Sequence, residues 1–130
     1  MVADGTTVSG GAIPLLAPYK GAVGVAEGVE TALSVASALR IPMWSCVNAG
    51  MMEKFEPPPG VRVVFIWADK DASGTGQAAA ENLRKALTER GITARVFLPK
   101  SPIPAGTKGI DWNDVLMRDG PSAFPRVRLE

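Results

Sequence analysis

Two aspartates close a strand-like run in this chain. The apolar segment Val63-Val64-Phe65-Ile66-Trp67-Ala68 stops at Asp69-Lys70-Asp71. A short, continuous run of β-branched and aromatic residues reads as a buried strand. Side chains two apart on extended backbone point the same way, so Asp69 and Asp71 are expected to aim at one point if the extended geometry persists. Lys70 is expected to point away, as a solvated or salt-bridged lysine. Two converging carboxylates repel each other unless a proton or a cation sits between them. A hard divalent ion such as Mg²⁺ suits them best, because it prefers carboxylate oxygen and keeps several waters. A second apolar run, Ala22-Val23-Gly24-Val25-Ala26, ends at Glu27-Gly28. Three acids therefore stand at the C-terminal ends of two predicted strands.

Composition narrows the chemistry further. The chain has 130 residues, no histidine and one cysteine. Zinc sites, Ser-His-Asp triads, Cys-His pairs and disulfides are excluded within it. Cys46 lies in the apolar segment Met43-Trp44-Ser45-Cys46-Val47 and reads as core packing. A lone thiol fits a reducing cytoplasm. A hydrophobic fraction of 46% and a charged fraction of 21% describe an ordinary globular domain. A net charge of +1 argues against a self-sufficient nucleic-acid binder, which carries a basic stripe. No apolar run reaches the roughly 18 residues that a membrane span needs, and the N-terminus lacks a signal-peptide pattern. Leu129-Glu130 resembles a cloning junction, which would make the chain a fragment of a larger protein.

The acids need elements to hold them. Residues 1–20 read as an N-terminal segment in which Gly10 to Leu16 holds a short edge strand, since Pro14 disfavours a central one. Strands are expected at Val23–Ala26, Met43–Val47, Arg62–Ala68 and Thr93–Leu98. A helix is expected from Val29 to Leu39, with Ala32, Leu33, Val35, Ala36 and Leu39 as its apolar face. Met51 to Phe55 has room for one or two helical turns. A second long helix runs from about Gly74 to Arg90, burying Ala79, Leu83, Ala86 and Leu87, with Gly91 as its stop. Pro99 to Gly109 reads as a loop, and Asp111 caps a short helix from Trp112 to Arg118. Residues 21–120 form the main domain and 121–130 a tail. Alternating strands and helices predict an α/β fold: about four parallel strands flanked by helices, Rossmann-like. Ligands in such sheets bind beyond the carboxyl ends of the strands, where Glu27, Asn48, Asp69 and Asp71 all fall.

Several neighbours have both a structural and a functional reading. Ser73-Gly74-Thr75-Gly76 lacks the P-loop spacing; Gly74 lets the backbone turn into a helix, and exposed N–H groups there can hold a phosphate. Glu30 either complements a helix dipole or takes part in the site. Asp111 is explained as a cap, Asp114 as its capping-box partner or a surface acid, and Lys108 as a solvated lysine or a phosphate contact. Trp44 and Trp67 read as core residues rather than base-stacking platforms.

Together these residues resemble the Toprim domain, shared by type IA and type II topoisomerases, bacterial-type primases and OLD-family nucleases. Its pattern is a glutamate after the first strand and Asp-x-Asp after a later one, matched by Glu27 and by Asp69-Lys70-Asp71. The closer resemblance is to the Toprim domains of phage- and plasmid-type primases and primase-helicases. Their Glu-Gly-x-Glu-Thr-Ala-Leu-Ser signature is matched by Glu27-Gly28-Val29-Glu30-Thr31-Ala32-Leu33-Ser34. Their Lys-Asp-Trp/Phe-Asn-Asp segment is matched by Lys108-Gly109-Ile110-Asp111-Trp112-Asn113-Asp114, with two residues inserted after the lysine.

The resemblance covers roughly residues 8 to 120. It implies Mg²⁺ or Mn²⁺ held by Asp69 and Asp71, with Glu27 as general acid/base or as a further metal ligand. The reaction it implies is nucleotidyl transfer in primer synthesis during DNA replication. The implied partners are a single-stranded DNA template, nucleoside triphosphates and other domains of a larger primase or helicase. The zinc-binding module of family primases is missing from this stretch. Three alternatives remain at this level: a Toprim nuclease cleaving phosphodiesters, a non-catalytic Toprim module that binds DNA or protein, and an unrelated haloacid-dehalogenase-like phosphatase. The last places its nucleophilic aspartate after the first strand, where this chain has Glu27.

Overall fold

The computed structural model describes residues 12–14 and 21–127. The rest of the N-terminal segment and Leu129-Glu130 lie outside the described residues. The elements are β1 (Ala12–Pro14), β2 (Ala22–Glu27), α1 (Val29–Leu39), β3 (Met43–Cys46), α2 (Ala49–Glu53), β4 (Val63–Trp67), β5 (Lys70–Asp71), α3 (Thr75–Glu89), β6 (Thr93–Phe97), β7 (Gly109–Ile110) and α4 (Trp112–Asp119). A single 3₁₀ turn follows at Pro121–Ala123. No helix among the described residues is long and apolar enough to cross a membrane.

The main sheet has the order β1-β3-β2-β4-β6. β3, β2, β4 and β6 are parallel, and β1 runs antiparallel on the outer edge of β3. The proline-containing segment thus takes the edge, where a missing N–H does least harm. β2 and β4 are the central pair, aligned from Ala22 with Val63 to Ala26 with Trp67.

Alternation along the two central strands builds two cores. Val23, Val25, Val64 and Ile66 point to one face, packed with Met52, Phe55, Ala79, Leu83 and Leu87 below α2 and α3. Ala22, Ala26, Phe65 and Trp67 point to the other, packed with Ala32, Val35, Trp112, Val115 and Phe124 below α1 and α4. Strands covered on both faces have no polar side, which is why the runs are continuously apolar. Trp67 centres the second layer: its ring stacks on Phe97 at 4.6 Å and meets Trp112 edge-on at 5.1 Å. Trp44 packs edge-on against Phe55 in the first.

The structure departs from the expected pattern in particular places. Leu33 is exposed on α1, while Thr31 and Ser34 are buried in its place. On α3, Ala80 is buried and Ala86 is exposed. β3 stops at Cys46, and Val47 is exposed. The segment read as a loop to Gly109 ends in an unexpected ribbon, where β7 pairs antiparallel with β5 in a separate two-stranded sheet. Two-residue strands carry too little alternation to be read from sequence.

Gly24 sits where β2 crosses beneath this aromatic layer. A Cβ there would run into the Met43 sulfur and lie 3.3 Å from Trp67 Nε1. Gly24→Ala is therefore expected to destabilise the chain by about 1–3 kcal/mol through overpacking, read as a lowered midpoint in urea with an unchanged slope.

Candidate functional site

Glu27 ends β2, Asp69 follows β4, and Asp71 lies in β5. Because β2 and β4 are neighbours and parallel, their acids share one rim of the sheet. Gly76, in the first turn of α3, marks how close they come. A Cβ at that position would lie 3.1 Å from Asp71 Oδ2, 3.2 Å from the Asp69 carbonyl oxygen and 3.9 Å from Glu27 Oε1.

The two aspartates do not converge along one continued strand. β4 ends at Trp67, and Lys70-Asp71 pairs with Gly109-Ile110 instead. Asp71 turns toward α3: its Oδ2 accepts from the Gly76 N–H at 3.1 Å and its Oδ1 from the Ser73 hydroxyl at 3.0 Å. Asp69 accepts from Thr31 Oγ1 on α1 at 3.1 Å, and the Trp112 backbone N–H at the start of α4 favours its charged form. The Ala49 backbone N–H at the start of α2 favours the charged form of Glu27, which acts electrostatically on Asp69 and is acted on by Asp71. Lys70 points away, as expected, with Nζ donating to the Ser101 carbonyl at 2.7 Å.

Burial and like charge raise Glu27, Asp69 and Asp111. Burial pushes Asp69 up to about 7; the Thr31 hydrogen bond opposes this, Asp111 and Glu27 add to it, and the Trp112 N–H again opposes it. Glu27 is raised first by burial and then by Asp71, with the Ala49 N–H acting against both. Asp111 is raised chiefly by burial, with Asp114 and Glu30 as the charged groups acting on it. The charged groups acting on Glu27, Asp69 and Asp111 are thus all acidic. Cys46, beside Glu27 in the sheet register, is pushed up to about 12 by burial and by Glu27, which leaves it an inert thiol.

An all-carboxylate set with hydroxyls nearby and no facing cation matches the preferences of a hard divalent ion. Among the described residues, no three of these acids close into a cage that could hold a metal by themselves. The rim fits an ion held by one or two carboxylates, with water completing its shell, which is how Mg²⁺ is ordinarily bound.

The other residues singled out from the sequence divide. Asn48 is a cap: its Oδ1 accepts from Met51 N at 2.9 Å, and the side chain is exposed. Gly74 precedes α3 with a φ of 78° and open space around it, so its role is to turn the backbone. Lys108 is exposed; its carbonyl accepts from Ala72 N at 2.8 Å, holding β7 beside the aspartate loop. Asp111 and Asp114 form a reciprocal capping box, and Asp111 also faces the acidic rim. Glu30 is exposed and reaches the rim through its charge on Asp111.

Five residues carry the site without having been singled out. Thr31 bonds Asp69, and Ser34 Oγ lies 3.1 Å from Asn113 Oδ1, joining the two signature segments. Gly76 admits Asp71, and Gly109 lets β7 approach β5, since a Cβ there would sit 2.9 Å from Asp71 Cα. Thr31, Ser34 and Asn113 lie within the signature segments as polar positions, whereas Gly76 lies in the glycine-rich stretch after the aspartates and Gly109 is one of the two inserted residues.

The raised acids have a consequence for stability. A carboxylate whose folded pKa lies above its unfolded value makes the native state bind more protons, so stability falls as pH rises through the interval. For Asp69 that interval runs from 3.8 to about 7. In chelator, this carboxyl is expected to make the melting temperature fall from about pH 4 to about pH 7, and Asp69→Asn to flatten that slope. A melting temperature that rises over this range would contradict it.

Comparison with known proteins agrees with this geometry. The Toprim domain family matches residues 22–122, which span the sheet, the acidic rim and α4. No curated protein and no solved structure gives a significant match. Four parallel strands, a glutamate after β2 and an Asp-x-Asp after β4 thus occur within one matched stretch, and the chain belongs to the Toprim family, a family that fits metal-dependent processing of nucleic acids.

Proposed function

We propose that residues 21–120 are the catalytic Toprim unit of a DNA primase of the phage or plasmid type, acting in the cytoplasm as part of a larger primase or primase-helicase. Its reaction would be nucleotidyl transfer: on a single-stranded DNA template, the primer's 3′-hydroxyl attacks the α-phosphorus of a nucleoside triphosphate, forming a phosphodiester bond and releasing pyrophosphate as the α–β bond breaks. The observation that carries this reading is the meeting of the two primase-like signature segments at the acidic rim. Thr31 reaches Asp69, Ser34 reaches Asn113, and Trp112 Nε1 donates to the Ala68 carbonyl at 3.1 Å, one residue before Asp69.

In this reading Asp69 and Asp71 hold Mg²⁺ or Mn²⁺, directly or through water. The ion supplies neutralising charge for the phosphate oxygens. Glu27 takes the proton from an attacking 3′-hydroxyl or serves as a further ligand. Its raised pKa makes it a stronger base than an ordinary carboxylate. With no histidine in the chain, a carboxylate is the natural base at this rim. The donors on Asp71 from Gly76 and Ser73 keep its carboxylate turned toward Glu27.

The test is primer synthesis by the complete parent protein on single-stranded template with nucleoside triphosphates and Mg²⁺. Glu27→Gln, Asp69→Asn and Asp71→Asn are each expected to reduce synthesis by about 10²–10⁴-fold, the range for removing a positioned acid or base. Undiminished synthesis in these variants would reject the assignment. Strand cleavage without nucleoside triphosphates would assign the same acids to a nuclease.

A further inference from the structure

We propose that Thr31 is a positioning residue: its hydroxyl fixes the Asp69 carboxylate and thereby sets how tightly the rim holds a divalent cation. This rests on the reading of Asp69 as a metal-holding group.

Thr31 is 3% exposed and lies on the sheet-facing side of α1 beside Ala32 and Val35. Valine has nearly the same shape and would suit such a position by packing alone. What threonine adds is one donor, and it is directed at Asp69 Oδ1, 38 residues away in sequence. The Trp112 backbone N–H, at the start of α4, also favours the charged form of this carboxylate. The Thr31 hydrogen bond restrains the rotation of the carboxylate.

Those two helices are also joined to each other. Ser34, 4% exposed and one turn beyond Thr31, places Oγ 2.8 Å from the Glu30 carbonyl and 3.1 Å from Asn113 Oδ1. Asn113 is the residue after Trp112. The segment of α1 that carries the Asp69 donor is therefore tied to the start of α4. A ligand carboxylate held in place before the ion arrives binds it more tightly, and loss of such an outer partner costs about 10–100-fold in metal affinity.

Mn²⁺ titrated calorimetrically into the full chain tests this, with melting curves in chelator to verify folding. Thr31→Val is expected to weaken Mn²⁺ binding by about 10–100-fold, and Thr31→Ser to stay within about 3-fold of the parent chain. Thr31→Ala and Thr31→Ser lack the same methyl group and differ only in the hydroxyl. That pair decides the question if the valine variant does not fold: equal affinities in the two overturn the proposal. Wild-type affinity in Thr31→Val, alongside lost binding in Asp69→Asn, overturns the positioning role and leaves Asp69 a ligand. Unchanged binding in Asp69→Asn overturns the reading of Asp69 itself.

Discussion

Concentrated negative charge at the rim of the sheet is the constraint around which the rest of the molecule is arranged. Glu27, Asp69 and Asp71 come from the ends of adjacent parallel strands, and their neighbours Asp111 and Glu30 add to the same field. Parallel topology supplies a partial answer. A helix that follows a parallel strand begins at the carboxyl edge of the sheet, so its unsatisfied N–H groups and the positive end of its dipole face that edge. Here the Thr31 hydroxyl from α1 donates to Asp69 and the Gly76 N–H from α3 to Asp71, while the Ala49 N–H of α2 and the Trp112 N–H of α4 favour the charged forms of Glu27 and Asp69. These donors favour the charged forms, yet burial still leaves Glu27 and Asp69 raised. The remaining repulsion is what a cation at this rim would relieve.

The apolar layer fixes where α4 enters the site. Trp112 is buried against Trp67 and Phe124, with ring centres 5.1 Å and 5.0 Å away. Its indole N–H donates to the Ala68 carbonyl, and its backbone N–H favours the charged form of Asp69. One residue therefore fills the core and holds the backbone next to the carboxylate. The capping box of Asp111 and Asp114 starts the helix at that residue, with Asp114 N donating to Asp111 Oδ1 at 2.7 Å and Asp111 N donating to Asp114 Oδ2 at 3.0 Å. Local capping and tertiary packing thus agree on the register of α4.

Sequence patterns reveal the four parallel strands and the long helices because each runs long enough for its periodicity to show, and because Glu27 and Asp69 fall where runs of apolar residues stop. They hide what depends on side chains meeting across the fold. Thr31 and Ser34 interrupt an apolar stripe, which reads as a weak helix face until Asp69 and Asn113 appear opposite them. The ribbon of β5 and β7 has two residues in each strand and is made by close approach at Gly109, for which no periodicity exists. The reading of Asp69 and Asp71 as neighbours on one extended strand fails for the same reason. Pairing with β7, a distant segment, redirects the backbone immediately after β4.

That redirection gives the two aspartates unlike surroundings. Asp69 is bonded by a buried hydroxyl, and burial dominates its acidity. Asp71 is bonded by the Ser73 hydroxyl, which is exposed, and by the Gly76 N–H at the start of a fifteen-residue helix, where negative charge is favoured. The two acids of an Asp-x-Asp motif are therefore not equivalent here. Asp69 meets a desolvation cost that an arriving cation would offset. Glu27 is raised in part by Asp71 and in turn raises Asp69, so in the proposed reading an ion at this rim would lower its proton affinity through Coulomb forces alone.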